Sequence, residues 1–287
     1  MSQDEHSAYN YLRHTKKFPN VWCSGCGIGI VMSALIRAVD RIGLAKDDVA
    51  VVSGIGCTGR MPVYLDFNTM HTTHGRALAF ATGLKFARPG LTVIVIMGDG
   101  DALAIGGNHF IHAARRNIGL TAIVVDNSIY GMTGGQHSPT TPLGSRATTA
   151  PYGNIEPPFP VCELAAAAGA TFVARSTVYH AVELDRYIEQ AIRKNGFSLV
   201  EAVSYCHTTF GRLNKLGPAV DMMRRLKENS VTKSAAEKLS PEQRAGVIVR
   251  GVFCDEDRPE YTALYDEVIQ RAQEGAGAAV RTTGGLG

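Results

Sequence analysis

At 287 residues, with 45% hydrophobic and 19% charged side chains and a formal net charge of +3, the chain can bury a full α/β core without disulfide staples. So small an excess of positive charge does not point to nucleic acid, and no RNP, zinc-finger or helix-turn-helix pattern accompanies it. No apolar run reaches the ~18 residues of a membrane span, and the polar start MSQDEHSAYNYLRHTKKFPN lacks the apolar block of a signal peptide, so a cytoplasmic protein without membrane contact is expected.

In chain order, WCSGCGIGIVMSALIRAVDRIG opens with a Cys-Gly loop and continues as a helix with apolar residues at helical spacing, ending near Gly43. VAVVSGIGC reads as the first strand. A loop carrying Arg60, Pro62 and Asp66 leads to His71-Thr-Thr-His74-Gly75 and the helix RALAFATGLKFA, stopped by Pro89-Gly90. LTVIVIM (91–97) is a branched apolar run suited to a strand buried on both faces of a parallel sheet, and LTAIVVDN (120–127) is a second. The helix-compatible IGGNHFIHAARRNIG between them is long enough for a right-handed crossover. From Thr133 to Pro160 the chain is rich in Gly, Pro, Ser and Thr, which reads as a long functional loop or lid. VCELAAAAGA, TFVAR, the helix YHAVELDRYIEQAIRKNG and the strand FSLVEAVSY complete an alternation that predicts a mostly parallel sheet flanked by helices on both faces. The expected organisation is a catalytic domain over 1–210 and a helical extension over 211–287. Its charged segments and their basic residues Arg224, Arg225 and Lys227 read as a solvated helix face, and its end, GAGAAVRTTGGLG, as a mobile tail.

Two polar turns stand at carboxyl ends of these strands, the edge where open α/β sheets bind ligands. Gly98-Asp99-Gly100-Asp101 ends one strand, and Asp126-Asn127 ends the next. Asp99 offers a carboxylate, Asn127 an amide oxygen and the irregular backbone a free carbonyl at Ile129, a hard oxygen set suited to Mg2+. Glycines at 98 and 100 let a diphosphate approach the backbone, and GMTGGQ (131–136) adds unobstructed N–H groups. The bland alternative is an ordinary Rossmann-like turn with an acidic edge. With 26 residues between Gly100 and Asn127, the arrangement resembles the signature of thiamine diphosphate enzymes, with Asp126 in place of the first of two customary asparagines.

Four of the six cysteines group by context. Cys23 and Cys26 form C-x2-C in a Gly-rich turn, Cys57 stands in GIGC after the first strand, and Cys206 follows FSLVEAVSY, so all four can reach the edge that carries the diphosphate turns. Spacing alone leaves zinc and an iron–sulfur cluster open, with a thioredoxin-like pair as the weakest alternative. Cys162 and Cys254 read as incidental buried thiols. Disulfides are not expected in a chain without a secretion signal.

Taken in order, C-x2-C, GIGC, MHTTHGRA, GDGDALAIGGNH, VVDNSIYGMTGGQ and the late YC resemble the β subunit of the 2-oxoacid:ferredoxin oxidoreductases over residues 20 to about 210. The resemblance implies that Cys23, Cys26, Cys57 and Cys206 hold a 4Fe-4S cluster. It further implies that Ile55, Gly56, Cys57, Thr58, His74, Gly100, Asp101, Gly131 and Met132 contact thiamine diphosphate and that Asp99, Asn127 and Ile129 ligate Mg2+. The implied reaction is coenzyme A-dependent oxidative decarboxylation of a 2-oxoacid with electrons passed to ferredoxin. The catalytic glutamate that activates the cofactor belongs, in such enzymes, to a pyrimidine-binding domain that has no counterpart here. An α subunit is therefore expected, in a dimer of αβ heterodimers. Arg60, close to Cys57, is the candidate for clamping a distal substrate carboxylate, and GCTGRMPVYLDFNTMHTTHGRA resembles the 2-oxoglutarate branch more than the pyruvate branch. A pairing of Arg60 with Asp66 or with the α subunit is the competing role. A non-oxidative thiamine lyase or synthase, or a zinc-bearing assembly subunit, are readings of another class.

Overall fold

The computed structural model of the chain describes residues 7–15 and 19–283. The polar start and the Gly-rich end of the sequence fall in part outside this range. The apolar runs pair as a single eight-stranded sheet in the order β2-β1-β3-β4-β6-β5-β8-β7. Its strands are β1 Val49–Ser53, β2 Asn68–His71, β3 Thr92–Gly98, β4 Leu120–Asp126, β5 Phe172–Thr177, β6 Ser198–Val203, β7 Ser230–Thr232 and β8 Ile248–Asp255. All neighbours are parallel except β5 and β8. This is the mostly parallel α/β architecture that the alternation predicts.

Alternation within the central strands builds two cores. Ile94 and Ile96 of β3 and Ile123 and Val125 of β4 face α1 (Ile28–Ile42) and α6 (Ala181–Arg193), whereas Val93, Val95 and Met97 with Ala122 and Val124 face α2 (Ala77–Ala87), α4 (Gly107–Arg115) and α5 (Val161–Ala168). These side chains are essentially buried, each removal from water contributing roughly 1.5–3 kcal/mol for the larger ones. Phe110 of α4 and Phe197 before β6 meet edge to face with centroids 6.1 Å apart, fixing that layer at its centre. The helix α1 ends where expected, with Gly43 in the left-handed conformation (φ 76°) accepting the chain reversal.

The connections from β1 leave in two directions. The chain passes first to β2 on one side and then crosses to β3 on the other, so the carboxyl ends of β1 and β3 form a topological switch point, where a crevice opens between diverging loops. The GIGC turn, α3 (Asp99–Leu103) and the turn after β4 all converge there.

Three strands differ from the sequence expectation. β2 is only four residues of mixed polarity, too short for a periodicity signal, and forms because NTMH lies in register against β1. β7 and β8 belong to the region read as a helical extension; β8 adds antiparallel to the edge of β5, so this region continues the sheet while also carrying α7 (Ala219–Glu228), α8 (Lys233–Ala236), α9 (Pro241–Arg244) and α10 (Tyr261–Thr283). The last of these helices runs on through the Gly-rich segment as far as Thr283, and the remainder, 284–287, lies outside the described residues. Among the described residues no helix is long and apolar enough to cross a membrane.

Candidate cofactor and thiol site

A cavity of about 320 Å³ occupies the switch point. Its walls come from the three loops named above: Ile55 to Thr58 after β1, Gly98 to Asp101 at the start of α3, and Asn127 with Ile129 to Thr133 after β4, with His74 closing one side. Every residue proposed from the sequence for cofactor or Mg2+ contact lines this one cavity.

Close backbone approach is built in at Gly100. A Cβ there would fall 2.2 Å from Cε1 of Tyr130, whose hydroxyl donates to the Gly100 carbonyl at 3.1 Å. Asp101 is the brace between loops. Its Oδ1 accepts from the Gly75 amide at 2.6 Å and the Ile55 amide at 3.4 Å, and lies 3.0 Å from His74 Nδ1. Its Oδ2 is buried with no hydrogen-bond partner among the described residues, packed where a Cβ on Gly54 would fall 2.1 Å away. Burial pushes the Asp101 carboxyl up, while the Gly75 amide opposes the rise.

Asp99 sits at the first turn of α3, 3% exposed. Its Oδ2 accepts from the hydroxyls of Ser138 (2.5 Å) and Thr140 (2.7 Å), both from the long loop after β4. The same Thr140 hydroxyl lies 2.8 Å from Asp126 Oδ1. One hydroxyl proton serves only one of these two carboxylates at a time. Desolvation first, then the charges of Asp99 and Glu201, drives the Asp126 carboxyl up to about 8. After β4 the backbone turns sharply: Ser128 takes φ 61°, its amide donating to Asp126 Oδ1 at 2.9 Å, and the Ile129 amide donates to Asn127 Oδ1 at 3.3 Å. The Ile129 carbonyl accepts no hydrogen bond among the described residues. A carboxylate, an amide oxygen and a free carbonyl lining one cavity, amid buried carboxylates lacking a cation, fit Mg2+.

The four grouped cysteines also come together. Thr208 Oγ1 lies 3.7 Å from Cys23 Sγ and 3.6 Å from Cys206 Sγ. A Cβ on Gly131 would stand 3.4 Å from Cys206 Sγ and 3.7 Å from Cys57 Sγ. Cys26 is pushed up to about 11 by burial and by the charges of Cys57, Cys206 and Cys23, against the Ile28 amide, which lowers it. Burial also raises Cys57, which receives the Met132 amide. Four grouped thiols with backbone amides aimed at Cys26 and Cys57 fit a metal centre. Among the described residues no three His, Cys, Asp or Glu side chains are grouped so as to hold one metal ion. Cys57 lines the cofactor cavity as well, so the two sites share a wall. Cys162 and Cys254 stand apart, bonded to Glu201 Oε2 (3.1 Å) and to the Ala170 carbonyl (3.3 Å).

Sequence reasoning missed Tyr130, Ser138, Thr140 and Trp22, whose Nε1 donates to the Cys57 carbonyl at 2.7 Å. Tyr130 adjoins an expected ligand and was open to inference; the two hydroxyls reach Asp99 only through the fold. Arg60 lies on the turn Thr58–Val63, half-buried, outside the cavity lining and without a side-chain partner among the described residues. The alternative pairing with Asp66 is not formed, because Asp66 is held by Lys46 at 2.7 Å.

Comparison with known proteins agrees with this geometry. Residues 49–202 match the thiamine pyrophosphate enzyme family, C-terminal TPP binding domain. The 2-oxoglutarate synthase subunit KorB of Methanocaldococcus jannaschii is 50% identical over 93% of this chain and 98% of its own length. The chain belongs to the KorB family of thiamine pyrophosphate enzymes. The KorB subunit of Archaeoglobus fulgidus is 57% identical over 77% of this chain and 80% of its own. Among solved structures, the 2-oxoglutarate:ferredoxin oxidoreductase of Magnetococcus marinus, determined with 2-oxoglutarate, coenzyme A and succinyl-CoA bound, superposes with a TM-score of 0.83 at 32% identity, over 94% of this chain and 92% of that one.

Proposed function

We propose that this chain is the β subunit of a 2-oxoglutarate:ferredoxin oxidoreductase, converting 2-oxoglutarate and coenzyme A to succinyl-CoA and CO2, with thiamine diphosphate, Mg2+ and a 4Fe-4S cluster as its cofactors. The observation that carries this reading is the shared wall: Cys57 and Gly131 belong at once to the diphosphate cavity and to the ring of thiols. Thiamine diphosphate supplies the electron sink for decarboxylation, and an adjoining one-electron centre supplies the oxidation that distinguishes this reaction from a non-oxidative lyase.

The chain's own residues bind, orient and desolvate. Asp99, Asn127 and the Ile129 carbonyl would hold Mg2+ beside the diphosphate; Ser138 and Thr140 fix the Asp99 carboxylate through its Oδ2. Gly100, Gly131 and Met132 present backbone to the diphosphate, while Ile55, Gly56, Thr58, Asp101 and His74 line the rest of the cavity. Cys23, Cys26, Cys57 and Cys206 hold the cluster. Arg60 clamps the distal carboxylate of the substrate, as a guanidinium without a side-chain partner among the described residues is free to do. Residues 1–210 form the cofactor-binding domain, and 211–287 an extension of it.

The domain that binds the pyrimidine half of the cofactor, with its activating glutamate, comes from an α subunit, so the cofactor lies at the subunit interface of an αβ unit that pairs into a dimer of heterodimers in the cytoplasm. Turnover measured anaerobically with the α subunit present and absent tests the assignment. Succinyl-CoA formation dependent on both chains, coenzyme A and ferredoxin is expected; full activity from the isolated chain, or acyl transfer without electron transfer, would refute it.

A further inference from the structure

The inference below rests on the function just proposed and concerns where its electrons leave. Of the four grouped thiols only Cys23 is exposed; the other three are half-buried. The thiol ring therefore opens to solvent beside Cys23 and the exposed Thr208 that bridges it to Cys206. Two elements frame this opening. One is the π-helical turn His207–Gly211 after β6, continuing through Arg212 and Lys215. The other is the first turn of α7, which abuts the C-x2-C loop so closely that a Cβ on Gly25 would come within 2.7 Å of Ala219 Cβ. Val21 and Val220 are 57% and 62% exposed there, apolar side chains at the rim of a redox site. A shallow groove of about 580 Å³ continues the face, with Cys26, Ile30, Tyr179 and Met223 among its lining residues.

The segment that frames this opening is basic. Residues 207–228 carry five cations (Arg212, Lys215, Arg224, Arg225, Lys227) and two carboxylates (Asp221, Glu228), an excess of three; Arg225 lines a separate cavity with Glu201 and Asn229, which leaves Arg212, Lys215, Arg224 and Lys227 for the opening. Asp221 is engaged by Arg224 at 3.2 Å, and Lys227 lies over the Tyr179 ring at 5.7 Å. Arg212 and Lys215, the two cations nearest Cys206 in the chain, are exposed and have no acidic partner among the described residues. Read from sequence alone these cations are a solvated helix face. Beside the only exposed thiol of the ring they are a positively charged rim around an apolar centre, the arrangement that steers and orients an acidic partner.

We infer that the surface around Cys23, framed by the turn at 207–215 and the first turns of α7, is the docking face for an acidic one-electron carrier protein. Electron transfer falls steeply with distance, and this is where a partner comes nearest the thiol ring with the least protein between. Each encounter removes one electron, so oxidation of one 2-oxoacid reduces two oxidised carriers in succession.

The test uses the anaerobically prepared αβ complex with an acidic 2[4Fe-4S] ferredoxin as carrier and methyl viologen as a small dye that needs no docking face. Arg212→Glu/Lys215→Glu is compared with Arg212→Gln/Lys215→Gln and with the remote Arg271→Glu. The double reversal should weaken ferredoxin binding measured by calorimetry, and raise its KM, at least tenfold, with a flatter dependence on salt; the glutamine pair should fall between, and Arg271→Glu should match wild type. Viologen turnover should stay within about twofold. Unchanged ferredoxin binding, or a parallel fall in viologen turnover, would overturn the docking face. A wild-type complex that reduces neither acceptor would instead refute the function proposed above.

Discussion

Replacing Gly100 with alanine tests the diphosphate cradle most locally. The backbone there is helical, so alanine meets no conformational penalty; the obstacle is Tyr130, with Cε1 2.2 Å, Cζ 2.3 Å and Oη 2.8 Å from the new Cβ. Carbon–carbon contact is favourable near 3.5–4.0 Å, so the ring must retreat by roughly 1.5 Å. That movement breaks the bond from the Tyr130 hydroxyl to the Gly100 carbonyl, about 1 kcal/mol, and overpacking adds about 1–3 kcal/mol. The sum, roughly 2–4 kcal/mol, corresponds to a melting temperature lower by roughly 5–10 °C in a domain of this size. If the ring escapes into the cavity the stability loss is smaller, and thiamine diphosphate binding falls instead. Thermal melts and calorimetric titration of thiamine diphosphate into the αβ complex read both outcomes, and Gly100→Ala/Tyr130→Ala should recover stability relative to Gly100→Ala alone, with a coupling of about 1–3 kcal/mol. A Gly100→Ala variant unchanged in both stability and cofactor affinity would refute the cradle.

Asp126 carries a pH prediction. Its carboxyl is raised from the ordinary range to about 8, so the folded chain holds a proton that the unfolded chain releases near pH 4; stability of the metal-free protein should fall as pH rises from about 4 to 8. Asp126→Asn should flatten that slope and raise the melting temperature above pH 6 in chelator-treated protein; an unchanged slope would contradict the assigned burial and charge repulsion. Cys26→Ser should cost most of the bound iron, whereas Cys162→Ser, at a thiol bonded to Glu201, should leave iron content unchanged; equal losses would contradict the division of the cysteines. Arg60→Ala should raise the KM for 2-oxoglutarate at least tenfold, as loss of a charge-assisted contact does, and leave pyruvate turnover, where measurable, nearly unaffected; equal losses on both substrates would argue against carboxylate recognition.

Much of this was legible in the residues because the informative ones are local. LTVIVIM and LTAIVVDN declare buried parallel strands by composition, and the turns that follow bring Asp99, Gly100, Asp101, Asn127 and Gly131 to one edge without need of tertiary detail. The cysteines were separable because their neighbours differ: Cys23, Cys26, Cys57 and Cys206 lie in or beside glycine turns or strand ends, whereas Cys162 opens an alanine-rich helix. What sequence did not disclose depends on contacts across the fold. Ser138 and Thr140 belong to a loop with no periodicity and acquire meaning only when they meet Asp99. β8 has mixed polarity and is a strand because β5 offers an open edge. The charge excess at 207–228 was visible as composition, but its position beside Cys23 required the turn of α7 against Gly25.

Iron and acid-labile sulfide in the anaerobically purified αβ complex, read with its low-temperature electron paramagnetic resonance after reduction, bear most directly on the claim that the diphosphate cavity and the thiol ring form one redox site. About four irons and four sulfides assignable to this chain, lost on replacing Cys57 and accompanied by a one-electron signal that shifts when thiamine diphosphate is withheld, are predicted. A zinc-loaded, iron-free preparation, or a cluster signal indifferent to the presence of thiamine diphosphate, would contradict it.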